Sequence, residues 1–328
     1  MGIESRLLGN LCSRVHYIII LVVLVISNMC VVNAQNDPQS SMYFAVPTQY
    51  NPAAAGSDSA LHVSVFDRMQ WVGVKNAPRT FFVSADMPFM VKQSRHGVGL
   101  AIVNDQSGLF QTTQLGVQYS HSLRLAGGRL ALGLQGGMVN QSFAGGDIYI
   151  PDGDAWDPND DGLPSGDISG MTVDFGFGAY YEYDWLYAGI SAQHLTGGTL
   201  ELDEYAYTEL ERSYFFIVGG NIPIKRSLLL LQPSFLLKTT FQAMQYDFTL
   251  RATYDNKFWG GLTFRPGDAI VMMVGANVGS ISLGYAYDIG LSPLARVSNG
   301  SHEIMATYSY KLNLDKKRQH AHKSIRIL

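Results

Sequence analysis

Four oxygen-bearing side chains, Asp157, Asn159, Asp161 and Asp167, are the first candidates for chemistry in this chain. In Asp157-Pro158-Asn159-Asp160-Asp161-Gly162, alternate residues offer carboxylate or amide oxygens and the glycine permits a sharp turn. That matches the first half of an EF-hand-like calcium loop. Asp167 stands one position short of the closing acid, which is a Glu in that pattern. A solvated acidic loop accounts for the same residues, so calcium is the one cofactor the sequence suggests and no other is expected. Catalysis has less to work with. His62, His96, His121, His194 and His302 are scattered on different strands with no paired catalytic signature around any of them, and no phosphate loop, HExxH or dinucleotide fingerprint occurs. No enzyme is expected.

The elements that carry these residues are strands. From Glu303 to Leu314, Ile304, Ala306, Tyr308, Tyr310, Leu312 and Leu314 fall on one face. Glu303, Met305, Thr307, Ser309, Lys311 and Asn313 fall on the other, with Met305 its one apolar member. Side chains alternate faces along a strand, so this stretch has a greasy and a polar surface. An alternating strand of about ten residues is what a tilted strand of a membrane barrel requires.

The pattern repeats over Leu61–Trp71, Arg79–Phe89, His96–Asp105, Gln111–Arg124, Arg129–Phe143, Gly170–Asp184 and Trp185–Leu195. It continues over Arg212–Pro223, Ser227–Lys238, Gln245–Asp255, Lys257–Arg265, Ala269–Asn277, Ser280–Ile289 and His302–Leu314. The expected fold is all-β, a transmembrane antiparallel barrel of about 14 strands. Short connections such as Asp184-Trp185 and Val278-Gly279 alternate with longer ones such as Ala144–Ser169 and Thr196–Glu211, the parity of periplasmic turns and outer loops. A soluble sandwich has no reason to follow it. Inward charges such as Arg251, Asp255, Arg265 and Asp288 either line a water-filled channel or pair and close the lumen.

Composition agrees. Charged residues make up 15% of the 328, below the roughly 25% of soluble domains. Mean hydropathy is only +0.04, and only the N-terminus comes close to the stretch of about 20 apolar residues that a membrane helix needs. Residues 1–34 read as a secretory signal, with Arg6 and Arg14 ahead of an apolar run and Val32-Asn33-Ala34 before the cleavage point. Both cysteines, Cys12 and Cys30, fall inside it, so the mature chain has no thiol chemistry. Without Glu4, Arg6 and Arg14, the 23 basic and 27 acidic residues become 21 and 26, net −5, which does not suit nucleic acid. Residues 35–60 carry turn signals, Asp37-Pro38 and Asn51-Pro52-Ala53-Ala54-Ala55-Gly56, and are expected to plug the barrel mouth or lie beneath it. Residues 61–314 form the barrel, and 315–328 a basic periplasmic tail.

In this order the segments resemble the PorP/SprF family of type IX secretion outer-membrane proteins. The resemblance rests on Asp37-Pro38, Asn51-Pro52-Ala53 with Gly56, Arg68-Met69-Gln70-Trp71 and Ala77-Pro78-Arg79-Thr80. It continues through Gly97-Val98-Gly99-Leu100 with Asn104-Asp105 and Gly108, and Trp259-Gly260-Gly261 with Arg265. Its last blocks are Gly284-Tyr285-Ala286-Tyr287-Asp288 and Gly300-Ser301-His302-Glu303-Ile304. It implies a Bacteroidetes outer-membrane barrel that serves protein secretion, gliding or surface display of adhesins. The implied partners are the periplasmic ring and outer-membrane proteins of the system, cargo with a C-terminal sorting domain, and outer-membrane lipid. Asp37, Pro38, Asn51, Pro52, Gly56, Arg68, Trp71, Asp105, Arg265, Tyr285, Asp288, His302 and Glu303 are the motif and docking candidates. Asn51-Pro52 is favoured for docking. The chain departs from the family at Ala54, at Ala45-Val46 and in its longer basic tail, which leaves the partner open. A porin-like or FadL-like transport barrel, with residues 35–60 as its plug, is the alternative.

Overall fold

The computed structural model describes residues 37–147, 166–203 and 206–314. The signal, the basic tail, and Asp157, Asn159 and Asp161 lie outside the described residues. Asp167 opens a strand.

Fourteen antiparallel strands close a barrel. They are β1 (Ala60–Met69), β2 (Arg79–Val91), β3 (Ser94–Ser107), β4 (Phe110–Leu125), β5 (Gly128–Ala144), β6 (Asp167–Tyr183) and β7 (Leu186–Gln193). A small hairpin follows, β8 (Gly198–Glu201) with β9 (Tyr207–Leu210), outside the barrel wall. The wall resumes with β10 (Ser213–Gly220), continued past Asn221 by the two-residue β11 (Ile222–Pro223), both paired with β12 (Leu229–Thr239). It ends with β13 (Met244–Tyr254), β14 (Phe258–Arg265), β15 (Ala269–Val278), β16 (Ile281–Gly290) and β17 (Ser301–Lys311). Pairing of β1 with β17, from Ala60↔Lys311 to Met69↔His302, closes the ring and leaves no edge.

Most connections keep the expected parity; the exceptions are the two-residue β3–β4 connection, Gly108-Leu109, and the three-residue β14–β15 connection, both at the long-loop end. At one end lie two-residue turns such as Lys92-Gln93, Ala126-Gly127 and Gly279-Ser280. Ala126 (φ 47°) and Gly127 (φ 80°) adopt the left-handed pair that matches the twist of a tight hairpin. At the other end lie the long connections, among them β5 to β6 and β7 to β10. The sequence reading missed β8 and β9, because four-residue strands are too short to show a period.

Outward positions are apolar. Leu100, Leu134, Phe175, Leu250, Val274 and Ile304 are all exposed, a belt that only lipid can cover. Inward positions are not uniformly polar. Phe66, Phe82, Val271, Met273 and Met305 form one buried cluster, and Tyr180, Phe215, Ile217 and Leu236 belong to another. Both clusters pack on the N-terminal segment, which crosses the lumen. That explains Met305, the odd apolar residue on its strand's polar face. Leu236 of β12 likewise faces inward, under this segment.

The segment satisfies its own backbone by short helical turns, Tyr43–Ala45, Pro47–Tyr50 and Pro52–Ala54, as a chain buried away from water must. Proline begins the last two, and the Asn51 side chain caps the third by accepting from Ala53 N–H at 2.9 Å. Met42, Val46 and Tyr50 are almost fully buried; each buried side chain of this kind stabilises by about 1.5–3 kcal/mol relative to exposure.

Wall glycines make room for it. A Cβ on Gly133 would lie 2.2 Å from Ala53 N, and one on Gly97 2.0 Å from Ala55 O. Gly133→Ala is therefore expected to destabilise the barrel by about 1–3 kcal/mol through overpacking. Gly136→Ala, on the outer face of the same strand with Phe175 3.7 Å away, should be near neutral. Denaturant unfolding, read by the heat-modifiable gel mobility of the barrel, checks both.

Candidate functional site

The charged candidates converge inside the lumen, near the end with the long loops. Arg68 and Glu303 face each other directly across the β1–β17 seam. Both are essentially inaccessible to solvent, as are Arg265 and Asp288. Arg68 donates through Nη2 to Asp288 Oδ2 at 2.7 Å, and its Nη1 lies 3.4 Å from Glu303 Oε2. Arg265 grips Asp247 with two parallel bonds, 2.7 Å from Nε and 2.9 Å from Nη2, and reaches Asp288 at 3.2 Å from Nη1. A fork-to-carboxylate pair of this kind is both strong and directional.

The plug completes the network. Glu303 accepts from Ser40 Oγ (2.8 Å), Ser41 N–H (2.7 Å) and Met42 N–H (3.0 Å). Ser41 Oγ donates to Asp288 at 2.8 Å and accepts from Arg68 at 2.9 Å. Gln39 donates to Asp268 (3.2 Å) and accepts from Arg68 (3.1 Å). The carboxylates thus hold two wall arginines and three successive plug residues at once.

A second latch holds the start of the plug. His194, just past the end of β7, donates from Nε2 to Asp37 at 2.8 Å. Its Nδ1 lies 3.0 Å from Asp174 Oδ2, off the line of a hydrogen bond. The Lys238 ammonium donates to the Asp37 carbonyl. Burial alone would push the His194 imidazole down, but Asp37 and Asp174 outweigh it and raise its pKa to about 10. Burial likewise opposes the Asp37 carboxylate, yet His194 and Lys238 hold it below the ordinary range.

The other sequence candidates serve the same seat or lie elsewhere. Asn51 donates to the Ala179 and Ile190 carbonyls of the wall at 3.0 and 3.1 Å. Pro38 is half-buried at the outer start of the plug. Gly56 (φ 63°) gives its N–H to Asp86 at 2.9 Å, in a conformation other residues resist. Asn51 and Pro52, favoured for docking, are buried in the lumen, with the Asn51 amide bonded to the wall. Asp105 accepts from Thr80 at 2.5 Å, apart from the network. Trp71 lies two residues past the end of β1, its N–H on Ser301 Oγ. Tyr285 and His302 pair at 2.7 Å on the outer face. Asp167 has its three proposed calcium partners outside the described residues, and among the described residues no group of three metal-ligating side chains occurs.

Of the four inward charges weighed as channel lining, Arg265 and Asp288 pair. Asp255 lies in the β13–β14 turn with Lys257 at 2.6 Å, and Arg251 stacks 4.0 Å over the Phe44 ring. Sequence reasoning missed Ser40, Ser41 and Lys238, and saw Asp174 only as a residue on the polar face of an alternating strand. Asp247 was visible on the polar face of its strand, but nothing announced its partner.

A lumen filled by its own N-terminal segment, inside a lipid-facing wall of 14 strands, defines a plugged outer-membrane β-barrel. The family described as "Type IX secretion system membrane protein PorP/SprF" matches residues 32–308, and the chain belongs to it. Similar solved structures include the Acinetobacter baumannii outer membrane protein Omp33, 7% identical with a TM-score of 0.46, covering 78% of this chain and 100% of that one. A Pseudomonas aeruginosa FadL homologue is 8% identical with a TM-score of 0.44, covering 77% and 89%. The P. putida toluene transporter TodX is 9% identical with a TM-score of 0.41, covering 80% and 93%. No curated protein matches the chain.

Removing one member of a buried ion network leaves an uncompensated charge and costs about 3–5 kcal/mol. Glu303→Gln is expected to fall in that range, whereas Arg79→Met, which breaks an exposed pair with Asp67, should cost less than about 1 kcal/mol. Unfolding midpoints in denaturant separate them. The latch also predicts a pH profile. A raised His pKa gives stability that is fully present below 6.5 and is lost as pH rises toward about 10. The depressed Asp37 carboxylate gives stability present above 3.8 and lost at lower pH. The wild-type midpoint should therefore decline between pH 6.5 and 10. His194→Gln should lower it and remove that decline.

Proposed function

We propose that this protein is a non-enzymatic scaffold of type IX secretion, which supports the secretion or surface display of cargo such as adhesins. Its short-turn end faces the periplasmic ring of the system, and its long loops face the cargo. Family membership supplies the system, and the observation that carries the scaffold reading is the occupied lumen. Both buried clusters and the ion network fill the space a solute would cross. The surfaces offered to the ring are the short turns, such as Ala126-Gly127 and Asp184-Trp185, together with the basic tail that follows β17.

A deletion strain compared with its complemented parent tests this reading. Loss of one or a few large proteins from the cell-surface and secreted proteome is the expected result, and an unchanged profile would overturn it. The purified barrel is also expected to be silent in planar bilayers. Discrete, reproducible single-channel openings would instead favour passage of small solutes.

A further inference from the structure

Three atoms with lone pairs converge on the outer face of β3 and β4, near the short-turn end. His96 and His121 stand directly opposite each other across the two strands. Their neighbours Gly97 and Ser120 meet the plug at Ala55, so both imidazoles point away from the lumen. His121 Nδ1 lies 3.4 Å from His96 Nδ1, and Tyr119 Oη lies 2.7 Å from that same nitrogen. Phe89, opposite His96 on β2, stacks on its ring with centroids 5.3 Å apart and restrains its plane.

Hydrogen bonding alone does not satisfy this arrangement. A ring nitrogen carries either one proton or one lone pair, so His96 Nδ1 completes one good bond and not two. If it pairs with Tyr119, His121 Nδ1 is left facing it without a partner. A cation takes all three lone pairs at once. A metal bound tetrahedrally at about 2.0–2.1 Å sets two nitrogen ligands about 3.3–3.4 Å apart, which is the spacing of this pair. The Tyr119 ring is exposed, so a small rotation brings its oxygen to the same range.

We propose that His96 and His121, with Tyr119, form an open site for a divalent transition metal of the Zn2+ and Cu2+ class, which imidazole nitrogens suit. No third imidazole, thiolate or carboxylate is grouped with them among the described residues. Water fills the remaining positions, as in zinc sites that are not closed by protein. The ion staples β3 to β4 close to the Lys92-Gln93 turn, on the periplasmic side of the wall. This geometry stands apart from any role in secretion.

Metal titration of the purified, tag-free barrel in detergent tests the site. His320→Gln and His322→Gln are built into every sample, so that imidazoles of the tail do not compete. With ZnCl2 or CuCl2, one ion per barrel is expected, with an unfolding midpoint that rises with metal concentration. Cu2+ should bind more tightly than Zn2+, and MgCl2 should leave the midpoint unchanged. The Cu2+ electron paramagnetic resonance spectrum should show two coupled imidazole nitrogens. His96→Gln and His121→Gln, each checked for heat-modifiable migration, should lose both saturable binding and the midpoint rise. Tyr119→Phe should weaken binding, and His302→Gln should leave it intact. A folded wild-type barrel that takes up no stoichiometric Zn2+ or Cu2+ would overturn the proposal, as would binding that survives both His96→Gln and His121→Gln. Should a histidine variant fail to fold, the Cu2+ spectrum decides alone, and a signal without two coupled nitrogens overturns the site.

Discussion

Two buried carboxylates, Asp288 and Glu303, set the terms for the rest of this structure. A carboxylate taken out of water must be matched by positive charge and hydrogen-bond donors, or it will not stay ionised. Here the wall supplies Arg68 and Arg265, and the plug supplies two serine hydroxyls and two backbone N–H groups. Neither set is sufficient alone. Without the plug, Glu303 would lose three donors; without the wall, Ser40 to Met42 would have buried donors with nothing to accept them. The geometry therefore ties a loop-like segment to the barrel more firmly than its own short turns could.

The lumen follows from that tie. Once the plug is fixed, apolar side chains on the inner face are stabilised by contact with Met42, Val46 and Tyr50 instead of being penalised by water. Glycines at Gly97 and Gly133 are needed because the plug's backbone comes within contact distance of the wall. The result is two apolar surfaces on one sheet, an outer one against lipid and an inner one against protein, with the polar residues gathered where charges meet. Arg251 fits this scheme: with no acid to pair it among the described residues, it lies against the faces of Phe44 and Trp259.

Much of the fold was legible because a period of two survives over ten or more residues in strands such as β13 and β17. Wall strands extend past the sequence boundaries at β2 and β6, where hydrogen bonding continues into residues with no alternation. The β8–β9 hairpin was illegible because it is too short to show a period. The site was half legible. Arg265 and Asp288 stood out as charges on an inward face, and Arg68 and Glu303 through the family resemblance. That Arg68 opposes Glu303 depends on the closing register, and that Ser40 and Ser41 reach both depends on the course of the plug. No local pattern encodes either. The resemblance singled out Asn51-Pro52, and the structure places both residues inside the wall, a setting that their local sequence does not announce.

The seam has a consequence for how the molecule comes into being. Ser41 and Glu303 are 262 residues apart, yet they bond directly. The plug is near the first part of the chain to be made, and its principal acceptors, on β16 and β17, are among the last. Until those strands arrive, Arg68 and the plug donors have no buried carboxylates to meet, and the ring has no partner for β1. Sealing the ring and seating its content are therefore one cooperative event, driven by contacts of very large sequence separation, which form slowly. An assembly factor that held an incomplete sheet open would be holding a plug seated on the earlier strands alone, and would let go only of a barrel whose last carboxylates had met it.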